Sequence, residues 1–212
     1  MIPRVLSIAG TDPTGGAGIQ ADLKSISAFG GYGMAAVTAL VAQNTLGVRE
    51  VHVPPTDFLS AQLRAVSDDV EIDAVKIGML GSAEVVAVVA AWLAEVRPPV
   101  VVLDPVMIAT SGDRLLDADA EAAVRALCRL VDLVTPNLPE LAVLVDAPVA
   151  DDWDTAVAQA RALAARADTA VLLKGGHLRG PESPDAIVDE AGIHPVSGRR
   201  VGTPHTHGTG CS

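Results

Sequence analysis

The chain has 212 residues, half of them hydrophobic but only 2% aromatic, and its 26 acidic side chains outnumber the 15 basic ones. A chain of this length can bury one large core, so residues 1–212 are expected to form a single domain. The net charge of −11 repels nucleic-acid phosphates and anionic lipids, which argues against both as partners. Two cysteines, Cys128 and Cys211, are too few for a disulfide framework, and the N-terminal residues lack the pattern of a secretory leader. These features favour a cytoplasmic protein.

Short apolar runs alternate along the chain with longer segments of helical period, which is typical of βαβ units and a parallel sheet. The predicted strands are 5–9, 35–41, 74–77, 100–103, 133–135 and 170–173, followed by a late hairpin of 186–188 with 199–201. The predicted helices are 18–29, 56–67, 83–96, 118–127, 139–145 and 153–166. The pattern indicates an α/β fold, in which ligands bind beyond the carboxyl ends of the strands.

Polar or glycine-rich residues follow six of the predicted strand ends. They are Gly10-Thr11-Asp12 with Gly15 to Gly18, Gln43-Asn44, Gly78-Met79, Asp104-Pro105-Val106, Pro136-Asn137 with Glu140, and Lys174-Gly175-Gly176. Any one of these groups, taken alone, is more often an ordinary turn than a site. Because the carboxyl ends of parallel strands meet at one edge of a sheet, the six groups together predict a single site.

The residue types at these strand ends suit phosphate and magnesium. The loop from Gly10 to Gly18 is neither a Walker A loop nor a GxGxxG motif, but it opens a helix whose amides favour anions. Asp104, Asn137 and Glu140 offer the oxygen ligands that Mg²⁺ prefers, although Glu140 equally suits a solvated first turn of a helix. Lys174 can reach a phosphate, or it can be a solvated lysine at the end of a strand.

The last residues, Thr206 to Ser212, form the sharpest motif. Their glycines allow consecutive amides to point in one direction as an anion-binding nest. Cys211 stands where a helix could begin, so its thiol is a candidate base or charge partner. Cys128 differs, because it lies on an apolar helical stripe and is expected to be a buried structural thiol.

Seven stretches of the chain resemble the hydroxymethylpyrimidine/phosphomethylpyrimidine kinases of thiamine biosynthesis, in the ribokinase-like superfamily. They are AGTDPTGGAGIQADLKS, TALVAQNTLGV, KIGMLGS, LDPVMIATSGD, TPNLPE, LLKGGH and THGTGC. The resemblance implies a three-layer sandwich, with a mostly parallel central sheet covered by helices on both faces. It also implies a homodimeric enzyme that uses ATP and Mg²⁺ to phosphorylate 4-amino-5-hydroxymethyl-2-methylpyrimidine and then its monophosphate.

The resemblance assigns roles by position within these motifs. For the pyrimidine it implies hydrogen bonds from Asp22 and Gln43, in a pocket shaped by Gly10, Met79 and Val106. For the nucleotide it implies magnesium at Asp104 and Glu140, and phosphate contacts from Asn137, Lys174 and Thr209. It implies that the amides of Gly208, Gly210 and Cys211 hold the transferring phosphoryl group, with Cys211 as the base.

Other interpretations stay open on the sequence. The family continues beyond the glycine nest, so the domain is expected to lack the family's C-terminal helices. Pyridoxal kinase is an alternative within the superfamily, although the amide of Gln43 suits an aminopyrimidine better. A pyrimidine-binding protein without catalytic activity is an alternative of another class.

Overall fold

The computed structural model describes residues 1–107, 116, 118–202 and 208. Eight of the described strands form one sheet and two form a second, smaller sheet. In chain order the strands are β1 Arg4–Ala9, β2 Tyr32–Val37, β3 Leu40–Asn44, β4 Gly47–His52, β5 Ala74–Ile77, β6 Val101–Leu103, β7 Leu133–Val134, β8 Ala170–Lys174, β9 Asp185–Asp189 and β10 Gly192–Val196. The order across the large sheet is β10-β9-β8-β7-β6-β5-β1-β2. Six strands of that sheet run parallel, namely β2, β1, β5, β6, β7 and β8, whereas β9 and β10 are antiparallel additions.

Helices cover both faces of the large sheet. They are α1 Gly18–Ala28, α2 Thr56–Ser67, α3 Ala83–Val96, α4 Glu121–Leu127, α5 Leu138–Val145 and α6 Trp153–Ala167, with short 3-10 turns at Ala118–Ala120 and Cys128–Leu130. Helices α2 to α6 contact one another in chain order, whereas α1 packs on β1 and β2. The β1-to-β2 crossover runs in the opposite direction to the later crossovers, so right-handed connections put α1 on the opposite face. The three-layer arrangement predicted for the chain is confirmed.

Two predicted strands differ from the structure, and the helix predicted at 118–127 is α-helical only from Glu121 onward. The strand predicted at 35–41 is divided, because the side chain of Thr38 turns inward and donates a 2.6 Å hydrogen bond to the Met79 carbonyl. The first arm of the late hairpin is present, but its partner is Gly192–Val196 and not 199–201. Asp189 explains this pairing, since its carboxylate accepts hydrogen bonds from the amides of Ala191 and Gly192 and closes a tight turn.

The core between the large sheet and helices α2 to α6 is almost entirely aliphatic. Its largest fully buried side chains include Leu6, Ile8, Leu59, Leu63, Ile77, Leu103, Leu127, Leu138, Leu141, Leu144 and Leu173. Cys128 is fully buried within this core, and burial raises the pKa of its thiol to about 12, so the prediction of a structural thiol is confirmed. None of the helices in the described ranges is long and apolar enough to span a bilayer.

Candidate active site

The sheet reverses its direction of winding at β1, and open α/β sheets form a crevice at such a point. Strand β1 lies between β2 and β5, and the connections that leave its two sides cross opposite faces of the sheet. In open α/β sheets such a switch point is where ligands bind, beyond the carboxyl ends of the strands. Gly10 follows β1 and Gly78 follows β5, so both glycine-bearing loops border this crevice.

The loop after β1 carries its own anion. Asp12 is fully buried, and its carboxylate accepts hydrogen bonds from the amides of Thr14 at 2.9 Å, Gly16 at 3.0 Å and Ala17 at 2.8 Å. Three of the amides that were expected to attract a ligand anion are therefore taken by a side chain of the loop itself. The sequence does contain a signal for this arrangement, because an aspartate followed by small residues before a helix commonly bonds to the amides ahead of it.

Two glycines allow close backbone contacts around this loop. Gly18 has a φ of +57°, and a Cβ there would collide with the Gly10 carbonyl. Gly208 has a φ of +78°, and a Cβ there would collide with the carbonyl of Gly16. The predicted phosphate nest therefore begins against the loop that follows β1. Its other predicted members, Thr209, Gly210 and Cys211, lie outside the described residues.

Four of the predicted pyrimidine residues lie together at the β1 end of the crevice. The Sδ atom of Met79 is 3.4 Å from the point where a Cβ on Gly10 would stand. Met79 forms a small buried apolar cluster with Ala39 and Val41, against which Val106 packs. The Gln43 side-chain amide donates a 3.4 Å hydrogen bond to the Thr11 carbonyl. The result is an apolar surface with one amide group at its margin.

Asp22, the fifth predicted pyrimidine residue, is bound to two protein groups that were not predicted. It is only 5% exposed, and it accepts a 2.6 Å hydrogen bond from Ser7 Oγ and bonds of 2.8 and 3.0 Å from Lys76 Nζ. The available signal was Lys76 itself, because a lysine within a buried strand requires a charged partner.

Three of the predicted magnesium and phosphate residues, Asp104, Asn137 and Lys174, meet at the ends of β6, β7 and β8. Lys174 Nζ lies 3.0 Å from Asp104 Oδ1, and the same oxygen accepts a 3.2 Å hydrogen bond from Thr135 Oγ1. The Lys174 side chain is 21% exposed, so it is an ion-paired residue and not a freely solvated one. Asn137 lies beside Lys174 through an isolated parallel bridge. Thr135 was not predicted as a site residue.

Glu140 combines a helix-capping role with a place beside this ion pair. Asn137 Oδ1 accepts from the Glu140 amide and Glu140 Oε2 accepts from the Asn137 amide, both at 2.9 Å, which is a capping box at the start of α5. Glu140 is only 6% exposed, so the expectation of a solvated first-turn residue is wrong in that respect. Burial, together with the negative charge of Asp104, raises the pKa of Glu140 to about 7.

The residues at this end fit a magnesium ion that is held jointly with a nucleotide. Asp104 and Glu140 place two buried carboxyl groups near each other, and their mutual repulsion favours a bound cation. In the described ranges no cluster of three acidic, histidine or cysteine side chains could hold a metal alone. Mg²⁺ commonly needs only one or two carboxylates, since water and phosphate oxygens complete its shell.

Val106 joins the two ends of the site. Its amide bonds to the Asp104 carbonyl at 2.8 Å, while its side chain packs on the Met79 cluster. The apolar surface and the charged group are therefore neighbours along one edge of the sheet.

Comparison with known proteins agrees with this geometry. The family model for phosphomethylpyrimidine kinase matches residues 12–212. The chain is 51% identical over 208 residues to the hydroxymethylpyrimidine/phosphomethylpyrimidine kinase of Escherichia coli K12, covering 98% of this chain and 78% of that protein. It is 61% identical over 211 residues to the thiamine biosynthesis multifunctional protein ThiED of Corynebacterium glutamicum, covering 99% of this chain. The chain spans only 28% of the length of that multifunctional protein.

Solved structures show the same fold. The phosphomethylpyrimidine kinase of Clostridium difficile 630 superposes with a TM-score of 0.84 at 38% identity, covering 91% of this chain and 83% of that chain. An ADP complex of Bacillus subtilis pyridoxal kinase superposes with a TM-score of 0.90 at 32% identity, covering all of this chain and 80% of that chain. The ribokinase-like fold is thereby confirmed, and the chain belongs to the phosphomethylpyrimidine kinase family.

Proposed function

We propose that the chain is an ATP-dependent kinase of thiamine biosynthesis, which phosphorylates 4-amino-5-hydroxymethyl-2-methylpyrimidine and then the resulting monophosphate. Family membership and the names of its relatives support this function. The observation that carries the proposal is the placement of an apolar surface beside the partly buried Asp104–Lys174 pair. Such a site can hold a flat ring next to a polyphosphate.

At the apolar end, the ring would lie against the surface that Gly10 and the Met79 cluster form together. The absence of a side chain at Gly10 keeps this surface open to a ring, and thioethers pack well against aromatic rings. Gln43 can offer both an acceptor and donors to a ring that carries an amine and ring nitrogens. Asp22 adds a carboxylate acceptor at the base of the crevice.

At the charged end, catalysis would consist mainly of positioning and charge neutralisation, because phosphoryl transfer requires little covalent help from the protein. Asp104 and Glu140 would hold Mg²⁺, which neutralises phosphate oxygens when it is bound. Lys174 would move its ammonium between Asp104 and the phosphates as a point charge. Asn137 caps the N-terminus of α5 and so fixes the position of Glu140. The amides of the nest that begins at Gly208, with Thr209 and Gly210, would hold the transferring group.

The hydroxyl of the first substrate requires a base, whereas the phosphate of the second is already ionised. We assign this role to Cys211. We expect Cys211→Ala to slow the first phosphorylation more than the second in single-turnover measurements. Equal losses in the two rates would contradict the assignment.

The test of the proposed function is a turnover assay on the purified chain with MgATP and the pyrimidine alcohol, followed by isolation of the products. We expect the monophosphate first and the diphosphate later. A parallel assay with pyridoxal tests the alternative that the similar solved pyridoxal kinases suggest. Faster turnover of pyridoxal would favour that alternative, and pyrimidine binding in calorimetry without any binding of MgATP would favour a non-catalytic binder.

We also propose that the enzyme acts in the cytoplasm as a homodimer. The cytoplasmic part of this proposal is supported by its use of ATP, and the dimer by the family resemblance. Light scattering on the purified protein measures its oligomeric state directly, and a monomer at assay concentrations would contradict the proposed dimer.

A further inference from the structure

A largely buried ion pair joins Asp22 to Lys76 under the crevice, and its cation, Lys76, has no role in the site described so far. Lys76 stands on β5 directly across from Ser7 on β1, and both reach Asp22 on α1. The Asp22 side chain is 5% exposed and that of Lys76 is 19% exposed. Burying such a pair costs desolvation free energy that its attraction need not recover, so stability alone is a weak explanation for it.

The position of the pair points to the ligand site. A Cβ on Gly78 would stand 3.0 Å from the Ala9 Cβ and 3.2 Å from Lys76 Nζ, so the ammonium lies just under the loops after β1 and β5. Asp22 is one helical turn beyond Ile19, whose amide bonds to the Gly10 carbonyl at 3.0 Å. The pair is therefore attached to the backbone that borders the pyrimidine end of the crevice.

The hydrogen bonds of the Asp22 carboxylate leave one of its acceptor positions for a ligand. Its Oδ2 atom accepts from Ser7 and Lys76, and its Oδ1 atom accepts from Lys76. Three of the four acceptor positions of the carboxylate are thus in use. The fourth, on Oδ1, can only accept, so any ligand group that meets it must donate.

We propose that Lys76, supported by Ser7, is a positioning residue that holds Asp22 as an ionised acceptor and so selects a ring with an exocyclic amine. This inference rests on the proposed function and extends it to substrate discrimination. The aminopyrimidine has an amine that donates to Oδ1, whereas the ring oxygen of ionised pyridoxal cannot donate and is repelled by the carboxylate.

The direct test is Lys76→Met, which keeps the aliphatic stem and removes the ammonium. The variant leaves Asp22 buried without a cation, a state that the protein interior tolerates better when the carboxyl is protonated and able to donate. Loss of a hydrogen bond to a charged group corresponds to an affinity loss of about tenfold or more. We expect that loss for the pyrimidine alcohol in calorimetry, with an unchanged KM for MgATP and a smaller preference for pyrimidine over pyridoxal.

Two further variants separate positioning from general stability. Lys76→Arg keeps the charge and should restore much of the preference for pyrimidine over pyridoxal. Arg4→Met breaks a matched ion pair with Asp73 at the opposite, amino end of β1 and β5, and should leave the affinity for pyrimidine unchanged. Thermal unfolding compares the stability of all variants. If Lys76→Met does not fold, Ser7→Ala serves in its place, with a predicted loss of pyrimidine affinity of a few-fold.

The outcomes are distinguishable. If Lys76→Met, or Ser7→Ala in its place, folds and binds the pyrimidine alcohol as tightly as the wild type, with the same preference over pyridoxal, the inference is overturned while the proposed function stands. If the wild-type protein neither binds nor phosphorylates the pyrimidine alcohol, both are overturned. A selective loss of pyrimidine affinity with intact use of MgATP supports the inference.

Discussion

Asp12 shows how one side chain determines what a glycine-rich loop can bind. Its carboxylate is buried, and charge-assisted hydrogen bonds from three backbone amides compensate for the loss of water. The loop is therefore held rigid by an internal anion and is not an open phosphate cradle. This rigidity matters because the Gly16 carbonyl is the surface against which Gly208 packs.

Substitution of Gly208 tests that contact, and Gly30 offers a matched control. Both residues have a φ of +78°, but a Cβ on Gly30 meets nothing within 4 Å. An alanine at either position costs roughly 1–2 kcal/mol of backbone strain, and only Gly208→Ala adds a collision with the Gly16 carbonyl. We expect kcat to fall for Gly208→Ala and to stay near the wild-type value for Gly30→Ala. Equal kcat values in the two variants would contradict this account.

Lys174 is paired with Asp104 and lies at the charged end of the candidate site, where the phosphates are proposed to bind. Lys174→Ala leaves Asp104 and Glu140 to repel each other and any phosphate, so we expect kcat/KM for MgATP to fall by about 100-fold, the typical effect of losing one stabilising donor. Arg64→Ala removes an exposed cation from the last turn of α2 and serves as the control. Steady-state kinetics with varied MgATP give kcat/KM for both variants. Similar small decreases in the two variants would argue against a role of Lys174 in phosphate binding.

Residues that follow strands could be predicted as site candidates, because a polar group just beyond an apolar run has few structural reasons to be there. Ser7, Lys76 and Thr135 were missed because each acts through a partner distant in sequence. Lys76 lies 54 positions from Asp22, and Thr135 lies 31 positions from Asp104. Such pairings depend on sheet register, which the sequence does not display.

At the scale of elements, the start of α5 places a helix cap inside the candidate site. Asn137→Ala removes the cap and releases Glu140, and we expect a stability loss of about 1 kcal/mol together with weaker use of MgATP. Asp152→Ala removes an equivalent cap from α6, where Asp152 Oδ1 accepts from the Thr155 amide at 2.8 Å. Denaturant unfolding should show similar losses for both variants. If the Asp152 variant also uses MgATP less well, the kinetic effect of Asn137→Ala comes only from the loss of stability.

The Arg4–Asp73 pair connects the start of β1 to the residue just before β5 and should give the protein a defined acid dependence. Hydrogen bonds from the Arg4 side chain, and then from its backbone amide, lower the pKa of Asp73 from 3.8 to about 2. Because the folded pKa is the lower one, the stabilisation is present above pH 3.8 and disappears as the pH falls through 2.

We therefore expect Arg4→Met to be less stable than the wild type near neutral pH, with the difference narrowing as the pH falls from about 4 to about 2. Urea unfolding at several pH values across this range measures the difference in the free energy of unfolding. Glu71→Gln removes the exposed second carboxylate at the same guanidinium and should follow the wild-type curve. A constant difference between Arg4→Met and the wild type at every pH would contradict the prediction.

Element boundaries could be predicted where local sequence determines them. Strand β5 and helices α2 and α3 have the predicted bounds, since apolar periodicity and local breakers define their ends. The break between β2 and β3 could not be predicted, because it depends on a hydrogen bond from Thr38 to the distant Met79 carbonyl. Strand β4 was not predicted, since most of its residues are exposed and lack an alternating apolar pattern.

At the scale of the whole molecule, the site is elongated. Strands β1 and β8 are separated by four strand spacings of about 4.8 Å, or about 19 Å in all. That length suits a ring and a nucleotide placed end to end better than one small ligand. The loops of β5 and β6 connect the two ends through Met79 and Val106.

The central claim is that an aminopyrimidine and a metal-bound triphosphate occupy this one edge of the sheet together. The most direct measurement is the NMR line width of the pyrimidine 2-methyl protons on the protein, with Mn²⁺–AMP-PCP replacing MgATP. The account predicts strong paramagnetic broadening, which excess MgADP reverses and which Asp104→Asn weakens. A methyl signal that stays sharp while both ligands are bound would place them in separate sites and contradict the account.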